Sequence, residues 1–261
     1  MGRSLKLIPC LTLCVALCAD AEPRVISSLG RLEPENGVVQ LAGPSGGGLT
    51  AVVIKSLDVA EGDWVEKDQI IARLDSYPLR EAEVARLNAI LANARSEMAR
   101  QKNLAKTSST SKVTLDAASM NLDVALADIA AAKARLELAV VRSPLRAQIL
   151  EIHSYPGERV GPEGIMELGR TDRMYAVAEV YETDITAVKI GQLAKVQTTA
   201  LAEALNGKVE RISLKVGRLD AVGTDPIAKT DARVVEVFIL LDDSEQVARF
   251  TNMQVKIEIQ P

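Results

Sequence analysis

A chain of 261 residues with a formal net charge of −4 and only 3% aromatic residues is not organised around one large aromatic core. Its abundance of Ala, Leu and Val fits coiled-coil helix combined with small β modules. No basic stretch interleaved with aromatics occurs, which argues against nucleic acid as a partner.

The first 21 residues differ from the rest. Arg3 and Lys6 precede the apolar run LIPCLTLCVALCA, 13 residues long, well short of the ~20 that a membrane-spanning helix needs. Ala19-Asp20-Ala21 then supplies a small-x-small site ahead of Glu22-Pro23. This is the layout of a secretory signal peptide, residues 1–21, cleaved after Ala21. The rival readings are an uncleaved anchor, or a lipoprotein leader with Cys18 as the lipid site. Leu17 stands where lipoprotein processing wants a small residue. Cys10, Cys14 and Cys18 are the only cysteines. A mature chain therefore has no disulfide framework, no Cys metal site and no thiol chemistry.

Residues 46–75 read GGGLTAVVIKSLDVAEGDWVEKDQIIARLD, short β-type runs punctuated by Glu61-Gly62-Asp63 and Lys67-Asp68. Residues 147–168 read AQILEIHSYPGERVGPEGIMEL. With Gly62 set over Gly157, Asp63 meets Glu158, Val65 meets Val160, and Ile70-Ile71 meets Ile165-Met166. Two β-rich segments thus share a Gly-acidic-x-Val turn, a weak internal repeat split by an insert.

The insert runs from about Pro78 to Ser143 and opens on Pro78, where a missing N–H costs a helix nothing. In its first half Val84, Leu87, Leu91, Ala94 and Met98 step by three and four. In its second half Val113, Ala117, Met120, Val124, Ala127, Ala131, Ala134 and Leu138 do the same. This spacing predicts an antiparallel helical coiled coil ended by Pro144. A second stripe, Leu115, Leu122, Ile129 and Leu136, repeats every seven. It is expected to widen the face packed on the first helix, the alternative being contact with a neighbouring subunit. Between the arms, RQKNLAKTSSTS interrupts the apolar pattern. It is expected to be the hairpin tip, with hydroxyls at 108–111 capping the returning helix. Arms of about 27 residues give a rod of about 40 Å.

From Met174 the chain is β-rich. Ile212, Leu214 and Val216, then Val235, Val237, Ile239 and Leu241, then Val255, Ile257 and Ile259 alternate with exposed-type neighbours. Such alternation marks half-buried antiparallel strands. Residues 174–180 and 193–199 add two more, with YETDITAVKIGQ between them as a short helix or turn, and Val38 to Ala42 a sixth. Five or six strands suit a small barrel or sandwich.

Sites for chemistry are scarce. Lys102, Lys106, Lys112 and Lys133 lie in the insert, but none has the setting of a lipoate or biotin carrier lysine. His153, the sole histidine, sits in LEIHSY with no nucleophile motif nearby and reads as a structural strand residue. GPSGGG at 43–48 lacks the Gly-Lys-Ser/Thr of a phosphate loop and reads as a flexible joint. Asp242, Asp243 and Glu245 are spaced unlike a calcium loop. No catalytic residue, cofactor site or metal site is expected.

The ordered set of segments resembles the periplasmic adaptor (membrane fusion) proteins of the HlyD/MacA type, and within them the DevB-like branch that serves ABC exporters. GRLEP at 30–34 resembles that branch's mature N-terminus. VAEGDWVEKDQIIARLD at 59–75 and VRSPLRAQILEIHSYPGERV at 141–160 resemble its two lipoyl halves. MYAVAEVYETDITAVKIGQ at 174–192 and DARVVEVFILLDD at 231–243 resemble its barrel. The resemblance implies an α+β, mostly β fold: a split lipoyl-like β-module interrupted by an α-helical hairpin and followed by a small antiparallel β-barrel. The segments would be the signal peptide 1–21, an N-terminal segment with the first barrel strand 22–45, lipoyl-like half 46–76, hairpin 77–143, lipoyl-like half 144–171 and barrel 172–261. Many members have Gly where Ala147 stands. Many also carry a membrane-proximal domain, which is expected to be missing or vestigial here.

The family's function would then be a non-enzymatic one. The chain would be the adaptor of a tripartite ABC-type export system, held in the periplasm at the inner membrane. It would bridge an inner-membrane ABC transporter permease and a TolC-type outer-membrane channel, and it would assemble with itself as a ring of six. Adaptors that dock on TolC-type channels carry Arg-x3-Leu-x6-Ser at the tip, and Arg100, Leu104 and Ser111 match that spacing. The competing reading of the tip is a solvated turn with a capping serine. Competing readings of the whole are a coiled-coil scaffold without a transport role and a carrier-domain subunit of an enzyme.

Overall fold

The computed structural model describes residues 24–43, 52–218 and 233–261. The leader at 1–21 and most of the GPSGGG stretch lie outside the described residues.

Two helices dominate one end of the molecule: α1, Tyr77–Lys106, and α2, Lys112–Glu137. They pack as an antiparallel hairpin. Thirty residues at a rise of ~1.5 Å make α1 about 45 Å long. Pro78 sits in its first turn, and Ser111 caps α2. α2 stops at Glu137 rather than at Pro144, because Val140–Arg142 turns into a strand that pairs with the lipoyl-like body.

The buried seam of the hairpin corrects one expectation. On α1 it is the predicted stripe, with Leu87 and Leu91 buried and Val84 and Ala94 partly so. On α2 the buried residues are Ala118, Ala125, Ile129 and Ala132, flanked by Leu122. The stripe from Val113 to Leu138 is exposed at every one of its eight positions. Both stripes step by three and four, two residues out of phase, so periodicity alone does not rank them. Packing does: the leucines of α1 seat against the alanines of α2, which let the helices approach closely. One slender partner covers one seam, and the wide shared face does not form.

The β body follows in chain order: β1 Ile26–Leu41, β2 Ile54–Leu57, β3 Trp64–Val65, β4 Ile70–Leu74, then beyond the hairpin β5 Val140–Arg142, β6 Ala147–Ile152, β7 Met166–Tyr181, β8 Leu193–Gln197, β9 Leu205–Arg218, β10 Arg233–Leu241 and β11 Gln254–Ile259. The two lipoyl-like halves pair with each other, β3 with β6 and β4 with β5. They enclose Ile54, Val65, Ile71, Ile149, Ile165 and Met166. The internal repeat is visible in atomic detail. Gly62 and Gly157 both take φ near +90° (89° and 90°). The Gly62 N–H donates to the Ile149 carbonyl and the Gly157 N–H to the Ile54 carbonyl, each at 2.8 Å. In the two turns the Asp63 and Glu158 carboxylates accept from the Ala60 and Tyr155 N–H groups, again at 2.8 Å. A left-handed residue followed by an acid that closes its own turn is what the shared Gly-acidic pattern encodes. Ala147 is fully buried against this core, and its backbone needs no glycine.

The second core is ringed by strands. Antiparallel pairings run β1–β11–β8–β9–β10–β7 and return to β1, around Leu32, Val196, Ile239 and Ile257. The first strand of this ring is 26–34, not Val38 to Ala42. Its inward positions are Ile26, Ser28, Gly30, Leu32 and Pro34, and the small Ser and Gly hide the apolar alternation. Gly30 is required by space, since a Cβ there would lie 2.1 Å from the Val177 carbonyl oxygen. Beyond Pro34 the strand shifts register through Asn36 and Gly37, both at positive φ. Val39 to Leu41 then pair with Leu168 to Met166, beside the lipoyl-like core. β1 and β7, 16 residues each, therefore belong to both modules.

On the outside of the barrel, burial and a hydrogen bond donated to Glu210 push the Tyr175 hydroxyl up to about 12. A raised pKa means that the folded state holds this proton more tightly than the unfolded chain. The contribution is complete below the ordinary tyrosine value near 10 and is lost as pH rises through about 12. Chemical denaturation of wild type and Tyr175→Phe should therefore show a stability difference that shrinks between those two pH values. A difference constant across that window would rule out the coupling.

Candidate functional site

The end of the hairpin farthest from the β body carries RQKNLAKTSSTS. From 100 to 112 it holds Arg100, Lys102, Lys106 and Lys112 and no acid. A cluster of one sign on a projecting tip creates a local positive field.

The turn is built, not merely solvated. Ser108 adopts φ 54°, so the chain reverses within a single left-handed step. The Leu104 carbonyl accepts from the Thr107 N–H (3.1 Å), the Ser109 N–H (2.9 Å) and the Thr107 hydroxyl (3.0 Å). These bonds satisfy the orphan acceptors of the helix end. Across the reversal, the Thr110 hydroxyl donates to Gln101 Oε1 at 2.7 Å, and Gln101 Nε2 donates to Glu97 at 2.7 Å. Ser111 Oγ accepts from the Thr114 N–H at 3.1 Å and lies 2.8 Å from the Thr114 hydroxyl. The Gln101–Thr110 tie was not foreseen. Its signal was present: the seam spacing 84, 87, 91, 94, 98 continues to 101, where the partner helix has ended and a polar residue finds the loop instead.

Of the three residues singled out by spacing, Arg100 and Leu104 are one helical turn apart and share a face of α1. The Arg100 side chain is 66% exposed and paired within its own helix to Glu97. An exposed pair of this kind is worth about 0–1 kcal/mol and is readily given up to a partner. Leu104 is 37% exposed, a large apolar group held at a tip. Ser111 is exposed on the opposite arm and already engaged as the cap. Among the described residues, no hydrogen bond or ion pair joins any two of the three, although they stand on the same tip. Below Arg100 a groove of about 570 Å³ runs along the hairpin, lined by Ile90, Asn93, Glu97, Asn121 and Val124. It joins the tip to the uncovered stripe of α2.

The remaining candidates settle into ordinary roles. The four insert lysines are exposed. Asp243 accepts from the Gln246 N–H and side-chain amide, so it closes a single 3-10 turn. GRLEP is architectural: Gly30 makes room for β7, Leu32 is core, and Arg31 binds Glu33, Glu179 and Glu236. No helix among the described residues is long and apolar enough to cross a membrane.

Comparison with known proteins agrees with this architecture. Residues 77–142 match the family described as RND MFP, alpha-helical hairpin domain. The chain is 28% identical over 179 residues to the multidrug resistance protein MdtA of Pantoea ananatis, covering 61% of this chain and 42% of that protein. It is 26% identical over 256 residues to MdtA of Pectobacterium carotovorum, covering 90% and 59%. The chain thus spans about half the length of the curated relatives it matches. Among solved structures it is similar to a MacA-MexA chimeric protein containing the Pseudomonas aeruginosa MexA alpha-hairpin domain, with TM-score 0.70, 20% identity and coverage of 91% and 79%. It is also similar to the membrane fusion protein Spr0693 of Streptococcus pneumoniae, with TM-score 0.63, 16% identity and coverage of 90% and 98%. Residues 77–142 thus match a membrane fusion protein hairpin domain, and the hairpin on a paired lipoyl-like body, continuous through two long strands with an antiparallel barrel, gives the chain the fold of the solved membrane fusion proteins.

Proposed function

We propose that this chain is the periplasmic adaptor of a tripartite efflux system, joining an inner-membrane transporter to a TolC-type outer-membrane channel through the tip of its hairpin. The observation that carries this reading is the tip itself. A rigid, self-bonded turn at the end of a long rod presents Arg100, Leu104 and Ser111 together with an excess of positive charge. Arg100 offers paired donors to carbonyls or a carboxylate. Leu104 fills a small apolar hollow, and Ser111 keeps one lone pair for a partner donor. The stripe from Val113 to Leu138, left uncovered by α1, supports side-by-side assembly of several copies in a ring. A ring multiplies weak tip contacts through effective concentration.

For the inner-membrane partner we favour an ABC exporter, because the GRLEP segment and the two lipoyl halves resemble the branch that serves such exporters. A second reading, an RND pump, is favoured by the description of the matched hairpin family. The leader 1–21 would direct export, and the ring would sit in the periplasm at the inner membrane.

The test is capture in cells. A photo-crosslinking residue at position 104 should trap an outer-membrane channel protein, and the same residue at Leu138, at the root of the rod, should not. Isolation of the full chain from membranes should bring an ABC permease. Recovery of an RND pump instead would select the second reading, and recovery of neither partner with no crosslink at 104 would refute the adaptor role.

A further inference from the structure

Where β6 meets β7, Glu151 and Glu167 are direct cross-strand partners. Two carboxylates facing each other on neighbouring strands repel and weaken the pairing, and a positive charge between them removes that cost. The barrel shows the usual remedy: Glu179 and Glu236 also face each other, and the Arg31 guanidinium bonds to both. At Glu151 and Glu167 no lysine or arginine takes that part among the described ion pairs. The group between them is His153, two residues beyond Glu151 and so on the same face of the strand. Its Nε2 lies 3.6 Å from Glu167 and its Nδ1 3.8 Å from Glu151. Both separations are too long for hydrogen bonds. Nε2 is buried with no hydrogen-bond partner, although the imidazole side chain is only 13% exposed.

We propose that Glu151, His153 and Glu167 form a binding site for a divalent transition-metal ion of the zinc class. One ligand atom from each residue lies within 4.8 Å of the other two. Ligands at ~2.0–2.2 Å around a tetrahedral ion stand roughly 3.3–3.6 Å apart, so closure needs small movements of two carboxylate side chains. His153 and Glu167 form the floor. Glu151, the exposed member, is the rim and is free to swing in. Gln40, opposite Glu167 on β1, donates to its Oε1 at 3.4 Å and orients that carboxylate from behind. The fourth position opens on a cleft of about 400 Å³ between the lipoyl-like body and the barrel, lined by both glutamates, by Arg249, which forms no described ion pair with either, and by Thr251, whose buried hydroxyl also has no partner. Imidazole with two carboxylates suits zinc and its first-row neighbours and does not suit magnesium or calcium, which take oxygen ligands alone. A bound ion neutralises the facing carboxylates and pins β6 to β7.

The experiment uses the full chain, tag removed and stripped with chelator, titrated with zinc chloride by calorimetry, with magnesium and calcium chloride as separate arms. One equivalent of zinc should bind and raise the unfolding temperature, and neither hard cation should. Glu167→Gln and His153→Gln should weaken zinc binding at least ~10-fold each, in line with loss of a ligand or its close support. Glu151→Gln lies on the exposed rim and removes the repulsion from Glu167, so it should weaken zinc binding while leaving the metal-free unfolding temperature no lower than that of the wild type, which keeps the test informative if the buried variants misfold. A cobalt-loaded sample should show the absorption of a tetrahedral ion, lost in Glu151→Gln. Failure of the wild type to take up zinc would overturn the proposal. It falls equally if zinc binds with the same affinity to wild type and Glu151→Gln.

Discussion

Replacing Arg100 and Leu104 together by aspartate is expected to abolish capture of the outer-membrane channel while leaving the isolated protein folded. Both side chains are exposed at the end of the rod, and neither belongs to the buried seam of the hairpin. Exposed substitutions of this kind change stability by within about ±0.5 kcal/mol. Among the described ion pairs, the one lost is Arg100–Glu97. At the docking surface the change is severe. A positive donor becomes a negative acceptor, and an apolar contact becomes a buried charge. A loss of only ~1.4 kcal/mol at one tip is tenfold in affinity, and a ring engages several tips at once, so losses compound. The measurements are crosslinking and co-isolation of the channel, export from cells, and thermal unfolding of the purified chain. Export that survives the double substitution in a normally folded protein would end the docking hypothesis. Thr110→Val is the companion control. It removes the tie to Gln101 and keeps the docking residues, so a large effect from it would show that rigidity of the turn, not only its surface, is used.

The second large effect is expected in the barrel. Arg31→Met should cost about 3–5 kcal/mol, the range for breaking a buried ion pair by removal of one partner. The guanidinium spans three carboxylates, with Nη1 3.1 Å from Glu179 and Nη2 2.8 Å from Glu236. Although burial disfavours its charge, the bonds to Glu236 and Glu33 hold its pKa above the ordinary arginine value. Glu179 has a side chain only 2% exposed, so loss of Arg31 takes the shared guanidinium away from two facing carboxylates, one of them out of water. Arg31→Lys should recover only part of the loss, because an ammonium cannot bond in fixed directions to three partners. Adding Glu236→Gln to Arg31→Met should recover stability by removing the repulsion, and a double variant no more stable than Arg31→Met would refute the charge argument. Denaturant unfolding of the four proteins decides it.

The same comparison of residues shows what a linear reading can reach. The hairpin and the position of its tip follow from helical spacing in α1 and its failure at 100–111. The two lipoyl-like halves follow from a Gly-acidic turn repeated at 62 and 157. β9, β10 and β11 follow from strict alternation. These features are local: a period, a cap or a left-handed glycine is written within a few residues, and neighbours along the chain suffice to enforce it. Other features depended on partners distant in sequence. Two equivalent stripes lie on α2, and only contact with Leu87 and Leu91 selected the one rich in alanine. β1 was obscured because its inward positions include Ser28 and Gly30, small for the sake of β7. The facing pairs Glu179–Glu236 and Glu151–Glu167, with Arg31 between one and His153 beside the other, exist only once their strands pair in register at about 4.7–4.9 Å in a sheet. Periodicity states which face a residue takes, whereas register between strands states what it meets there. In this protein the sequence by itself determined the rod, its turn and the repeat, and tertiary pairing alone decided which apolar stripe stays open and where opposed charges require a counter-ion.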